Sequence, residues 1–175
     1  NHYLSLDPYM RGRMNDAKSY VEPQPLDEVM LGGALGEVVE TKHGGFAVGE
    51  KVTGMFGWQQ YCDSDGAGVR KLEGARVPLT AYLGVAGMPG VTAWYGLNKI
   101  IAPREGQTIV VSAASGAVGS VVGQLAKLAG CRAVGIAGVT DKCLDVVEEL
   151  GFQAFGDYKA RNLYRDLKAA TADVG

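Results

Sequence analysis

The chain has 175 residues, 47% of them hydrophobic and 21% charged, the balance of a globular protein with a real core and room for one domain or parts of two. A formal net charge of −2 removes the electrostatic case for nucleic acid or an anionic membrane surface as partner. Cys62, Cys131 and Cys143 are scattered without a CxxC, which argues against a disulfide framework or structural zinc and for a reducing cytoplasm.

The chain opens with "NHYLSLDPYM", without a signal peptide and without an initiator Met, so an upstream segment stays open. From Asn1 to about Leu83 the pattern is short strands and turns. "EPQPL" around Pro23 reads as a loop. "ALGEVVE" (Ala34 to Glu40), "EKVTGMFG" (Glu50 to Gly57) and "WQQYC" (Trp58 to Cys62) read as strands, separated by "KHGGFAVG" and "DSDGAG". Such close spacing suits a small barrel or sandwich. His43, within "KHGGF", is a turn residue on this reading.

After "LGVAGMPG" the style changes, and a domain boundary near Leu83 divides residues 1–83 from 84–175. "VTAWYGLNKI" (Val91 to Ile100) reads as a largely buried helix ended before Pro103. The run from Thr108 to Gly130 carries no charge until Lys127, long enough to weigh as a membrane span. Serines and glycines dilute it, however, and it divides better into a strand (Thr108 to Ala113), a glycine turn and a helix. That helix has a stripe at Val118, Val121, Val122, Leu125 and Leu128. A second strand follows at "CRAVGIAG" (Cys131 to Gly138). Thr140 then caps a helix over Asp141 to Leu150, with Leu144, Val147 and Leu150 on one face. Gly151 ends it, and "FQAFGDY" supplies a third strand. Alternation of this kind predicts βαβ units and a parallel sheet.

The turn reads Ala113-Ala114-Ser115-Gly116-Ala117-Val118-Gly119, an AxxGxxG variant of the dinucleotide fingerprint. Small residues there let a pyrophosphate approach the backbone, while the helix start offers N–H donors and a partial positive charge. The alternative is simple helix–sheet packing; the flanking strand, helix and second strand favour the cofactor. An NAD site has an acid at the end of the second strand, and Ile136 to Val139 contains none. Lys142, in the first turn of the next helix, can meet a 2′-phosphate, with Asp141 beside it. The pair of observations favours NADP.

Four motifs, "LSLDPYMRGRM" (Leu4 to Met14), "GMPGVTAWYGL" (Gly87 to Leu97), "SAASGAVGSVVGQLAKLAGC" (Ser112 to Cys131) and "ELGFQAFGDYK" (Glu149 to Lys159), carry a family resemblance over nearly the whole chain. The sequence resembles the zinc-independent medium-chain dehydrogenase/reductases, in the NADPH-dependent alkenal/one reductase group. The bacterial curcumin-reductase branch is nearest, through "GMFGWQQY" as well. The resemblance implies an α/β protein: part of a GroES-like β domain (1–83), then a truncated Rossmann dinucleotide-binding domain (84–175). It implies about half of such an enzyme, a homodimer when full length, and a small enal or enone as substrate.

Cys62, His2 and His43 do not form the ligand sets of the superfamily's zinc enzymes, so no metal is expected. The implied reaction is hydride addition to the β-carbon of an α,β-unsaturated carbonyl, with hydrogen-bond donors stabilising the enolate. Tyr9 matches a family tyrosine near the substrate, with packing in the barrel as the alternative. Thr92 matches a threonine near the nicotinamide carboxamide, with a bond to its own helix backbone as the alternative. Tyr158 matches the tyrosine beside the adenosine 2′-phosphate, with Lys142 as companion. The cofactor set is therefore Thr92, Ala114, Ser115, Gly116, Ala117, Val118, Gly119, Lys142 and Tyr158. Val139 departs from the family's Gly or Ser. Quinone reduction and a non-catalytic NADPH-binding or structural role stay open.

Overall fold

The computed structural model describes residues 1–73, 76–138, 140–160 and 162–172. It falls into two compact units, Asn1–Leu83 and Gly84–Gly175.

In the first unit, β1 (Tyr3–Leu4), β2 (Ala34–Glu37), β3 (Lys51–Gly54) and β4 (Arg70–Lys71) form an antiparallel sheet in that order. Ala34, Val52 and Phe56 are its buried core, with Val38, Phe46, Cys62 and Val69 packed around them. A short helix, α1 (Pro8–Arg13), opens on Pro8, whose missing N–H costs nothing at a first helical position. The expected strand at Trp58–Cys62 does not form. Gly57 turns the chain at φ 73°, and the Gln59 and Gln60 carbonyls accept hydrogen bonds from Asn1 instead of a ladder. The edge is taken by β4, a segment that the sequence reading leaves unassigned.

The second unit opens with α2 (Met88–Tyr95), continued by a π-helical turn, Gly96–Ile101. It starts three residues before the expected Val91 because Pro89 fits the first turn. It ends before Pro103, where Ala102 takes a left-handed conformation with φ 46°. The helix is not largely buried: Ala93 and Leu97 point inward, while Val91, Trp94, Tyr95, Ile100 and Ile101 are exposed.

Next come β5 (Thr108–Ser112), α3 (Gly119–Leu128), β6 (Arg132–Ala137), α4 (Thr140–Glu148), β7 (Ala154–Asp157) and α5 (Leu163–Ala170). The last helix was not assigned from sequence. The strands pair in parallel in the order β5-β6-β7, with Val110 opposite Val134 and Ala137 opposite Asp157. This is the expected α/β class, a Rossmann-type succession of βαβ units.

Two helix faces differ from expectation. On α3 the buried positions are Gly119, Gly123 and Ala126, with Val122 and Leu125 beside the core, while Leu128 is 84% exposed. A Cβ on Gly123 would stand 2.7 Å from Cε1 of Phe152 and nearer still to Cε2 and Cζ of that ring. The ring thus fills the space that a side chain on α3 would need. On α4, Cys143 and Val146 are buried and Leu150 packs against them, whereas Leu144 faces out. The cap expected from the Thr140 side chain and the site of Val139 lie outside the described residues.

Candidate functional site

The glycine turn joins β5 to α3. Ala113, the first residue past the strand, holds φ 50°, a left-handed conformation that costs a residue with a Cβ about 1–2 kcal/mol. Its carbonyl accepts the Gly116 N–H at 2.8 Å, which closes the turn. Ala114 is fully buried and donates its N–H to the Ile136 carbonyl at 3.0 Å, tying the turn to β6. Ser120 donates to the Gly116 carbonyl at 2.9 Å, and Val121 and Val122 donate to that of Val118. Among the described residues, the N–H groups of Ser115, Ala117 and Val118 take no acceptor. The first turn of α3 carries no acidic side chain, so the helix dipole is uncompensated there.

Space around this turn comes from two glycines with different tolerances. A Cβ on Gly116 would lie 3.0 Å from the Ala113 carbonyl oxygen and in ordinary contact, 4.0 Å, with the Ala113 Cβ. A Cβ on Gly119 would overlap that same oxygen and lie 3.0 Å from the Ala113 carbonyl carbon and the Ala114 Cα. Gly119 therefore holds helix against strand, while Gly116 borders the open side. Free N–H donors on a bare backbone at a helix start form a cradle that fits a pyrophosphate.

At the far end of β6, Gly138 is covered by Tyr158. A Cβ on Gly138 would fall 2.5 Å from Cε1 and Cζ of that ring and 2.7 Å from its hydroxyl oxygen. The ring is nonetheless 58% exposed, and its backbone N–H donates to the Ala137 carbonyl at 3.1 Å. Lys142 is exposed in the first turn of α4, beside the end of β6. Turn, Tyr158 and Lys142 thus all stand at the carboxyl ends of the parallel strands, where ligands bind in sheets of this kind.

The other expected residues are placed differently. The Thr92 hydroxyl donates to the Met88 carbonyl at 2.8 Å, a bond within its own helix that leaves its lone pairs open. Tyr9 belongs to the first unit and is half-buried on α1. Burial, then the Asp7 carboxylate, push its phenol above the usual 10.0 against the pull of Arg13, so it stays a hydrogen-bond donor through neutral pH. The first unit also holds a cavity of about 560 Å³ lined by Glu37, His43, Phe46, Tyr61, Cys62 and Val69, among others, but by none of the expected site residues. His43 accepts the Gly45 N–H on Nδ1 at 3.0 Å and packs against Phe46, as a turn residue should. Among the described residues, no three His, Cys, Asp or Glu side chains gather as metal ligands. Nor is any helix there long and apolar enough to cross a membrane.

Two features escaped the sequence reading. The strained Ala113 had no signal, because alanine seldom takes a left-handed conformation. The Gly138–Tyr158 pair had one in principle: parallel register puts residues at the ends of successive strands side by side.

The geometry agrees with known proteins. Residues 1–72 match the family model described as the N-terminal domain of oxidoreductase. The chain is 48% identical over 168 residues to the NADPH-dependent curcumin reductase of Escherichia coli (strain K12), covering 96% of this chain and 49% of the relative. It is 41% identical over 172 residues to a 2-alkenal reductase (NADP(+)-dependent) of Nicotiana tabacum, covering 97% of this chain and 49% of that one. The crystal structure of CurA in complex with NADPH from Vibrio vulnificus superposes with a TM-score of 0.91 at 50% identity, over 97% of this chain and 50% of that one. The chain spans about half the length of the curated relatives it matches. A GroES-like β unit followed by a Rossmann-type sheet, with identity at this level along nearly its whole length, makes the chain similar to about half of the curcumin and 2-alkenal reductases, members of the medium-chain dehydrogenase/reductase family.

Proposed function

We propose that this chain binds NADP and serves the reduction of the carbon–carbon double bond of α,β-unsaturated aldehydes or ketones. The observation that carries the reading is the turn after β5, whose bare backbone and unspent N–H groups at Ser115, Ala117 and Val118 suit a pyrophosphate. The relatives' names supply the cofactor and the substrate class, since a curcumin reductase and a 2-alkenal reductase both depend on NADP(H).

On this reading Ala114 to Gly119 grip the pyrophosphate, and Lys142 and Tyr158 hold the 2′-phosphate end. The Thr92 hydroxyl offers a lone pair to the carboxamide while donating to its own helix. When bound, NADPH supplies the hydride that the β-carbon accepts. Charge then develops on the carbonyl oxygen, and a neutral phenol such as Tyr9 stabilises it by donating a hydrogen bond, with no Lewis acid required. The three free cysteines suit a reducing cytoplasm, and a homodimer is the expected assembly, to be read by analytical ultracentrifugation.

The test is NADPH oxidation by the purified protein with enals, dienones and quinones side by side. Turnover of enals or dienones supports the reading. Turnover of quinones alone replaces it with quinone reduction, and tight NADPH binding without any turnover replaces it with a non-catalytic role.

A further inference from the structure

We infer that Gly138 is a positioning residue for cofactor choice: its bare Cα seats the Tyr158 ring at the end of β6 and so aims the phenol toward a 2′-phosphate. The inference rests on the NADP reading above and deepens it. Parallel pairing sets Ala137 opposite Asp157, so the next residue on each strand, Gly138 and Tyr158, are neighbours past the last ladder rung. The Tyr158 backbone is pinned there by its N–H to the Ala137 carbonyl. Its ring then lies over Gly138, close enough that a Cβ would come within 2.5 Å of two ring carbons and 2.7 Å of the hydroxyl oxygen.

An exposed tyrosine on a strand end ordinarily samples several rotamers, because little restrains its χ1. Here the missing side chain at 138 leaves room for the outer end of the ring, and the ring, though 58% exposed, occupies it. The hydroxyl is thereby held beside Gly138, two residues before the start of α4, the helix that carries Lys142 in its first turn. Any side chain at 138 would evict the ring. Loss of Tyr158 from its seat removes a hydrogen bond to a charged phosphate, which only the 2′-phosphorylated cofactor offers.

Gly138→Ala is therefore expected to lower the preference for NADPH over NADH, measured by equilibrium titration, by about tenfold. In a Tyr158→Ala background the same change should have little further effect on that ratio, because the two substitutions act through one ring. In the unsubstituted, cofactor-free protein, NMR should show a nuclear Overhauser effect between the Gly138 α-protons and the Tyr158 ring protons, a readout that needs no variant. A missing contact in that spectrum overturns the inference. So does a Gly138→Ala protein that keeps the original cofactor ratio, or one whose loss is as large without Tyr158 as with it. An unsubstituted protein that prefers NADH overturns the NADP reading itself, a separate failure.

Discussion

Replacing Gly119 by alanine tests the turn more sharply than any other single change. The added methyl would overlap the Ala113 carbonyl oxygen and approach the Ala113 carbonyl carbon and the Ala114 Cα to 3.0 Å. All three atoms are backbone, and none is free to yield. Ala113 is already at φ 50°, and its oxygen is committed to the Gly116 N–H. Ala114 is buried and bonded to Ile136. Overpacking of this kind costs about 1–3 kcal/mol, while alanine recovers about 0.4–1 kcal/mol through the unfolded chain, so at mid-range the clash wins by about 1.3 kcal/mol. For a unit of this size that lowers the melting temperature by roughly 5–10 °C.

Gly116→Ala is the internal control. Its Cβ has one close neighbour, the Ala113 oxygen at 3.0 Å, and an ordinary contact with the Ala113 Cβ at 4.0 Å, so the two opposing terms leave stability within about 1 kcal/mol of the original. Thermal unfolding followed by circular dichroism, with and without saturating NADPH, separates the two. Gly119→Ala should melt lower in both conditions and gain less from NADPH, because a displaced turn grips the pyrophosphate poorly. A Gly119→Ala protein that melts at or above the original temperature would refute the steric argument, as would a larger loss in Gly116→Ala.

Lys142→Ala should weaken NADPH binding by about tenfold, its exposure keeping the loss at the low end for a charge-assisted contact, and should affect NADH far less. Equal losses for both cofactors would show that Lys142 does not read the 2′-phosphate. Tyr9→Phe removes the phenol donor, so kcat with an enone should drop roughly a hundredfold while the melting temperature holds; an unchanged kcat assigns the donor elsewhere. Because the phenol lies above the usual 10.0, no loss of activity through Tyr9 ionisation should appear as pH rises across the neutral range. Treatment with a chelator should leave the reductase activity intact, and stoichiometric zinc whose removal abolishes activity would end the metal-free mechanism.

The order of elements in the second unit was legible as far as β7 because each signal was local. Apolar runs of strand length, a glycine turn and a capped amphipathic helix repeat in a pattern that only βαβ units satisfy. Side-chain burial was less legible, and α3 shows why. Periodicity alone sends the largest apolar residues to the core, so Leu128 joined the expected stripe. The helix instead lies close to the sheet on Gly119, Gly123 and Ala126, and a ring from Phe152, distant in sequence, takes the space that larger residues would have filled. The contact is set by the partner's size as much as by the helix's own pattern. The same reasoning applies to α4, where small Cys143 is buried and Leu144 is not.

The first unit lost a strand for a different reason. "WQQYC" has strand composition, yet Gly57 turns left-handed just before it and the carbonyls of Gln59 and Gln60 serve Asn1. Propensity describes what a segment tolerates, and the partner available in space decides what it forms. The candidate site follows the same division. The turn proposed for the pyrophosphate is contiguous, so spacing made it legible as a candidate, although the ranking of Gly119 over Gly116 needed the position of the Ala113 oxygen. The end proposed for the 2′-phosphate would be assembled across strands from Gly138, Lys142 and Tyr158, and register alone brings the first and last together. Gly138 carries no chemistry of its own and so gives no motif. What it contributes is an absence of side chain where the end of the Tyr158 ring lies, so that, on the inference above, cofactor choice would depend on a residue that need not touch the phosphate.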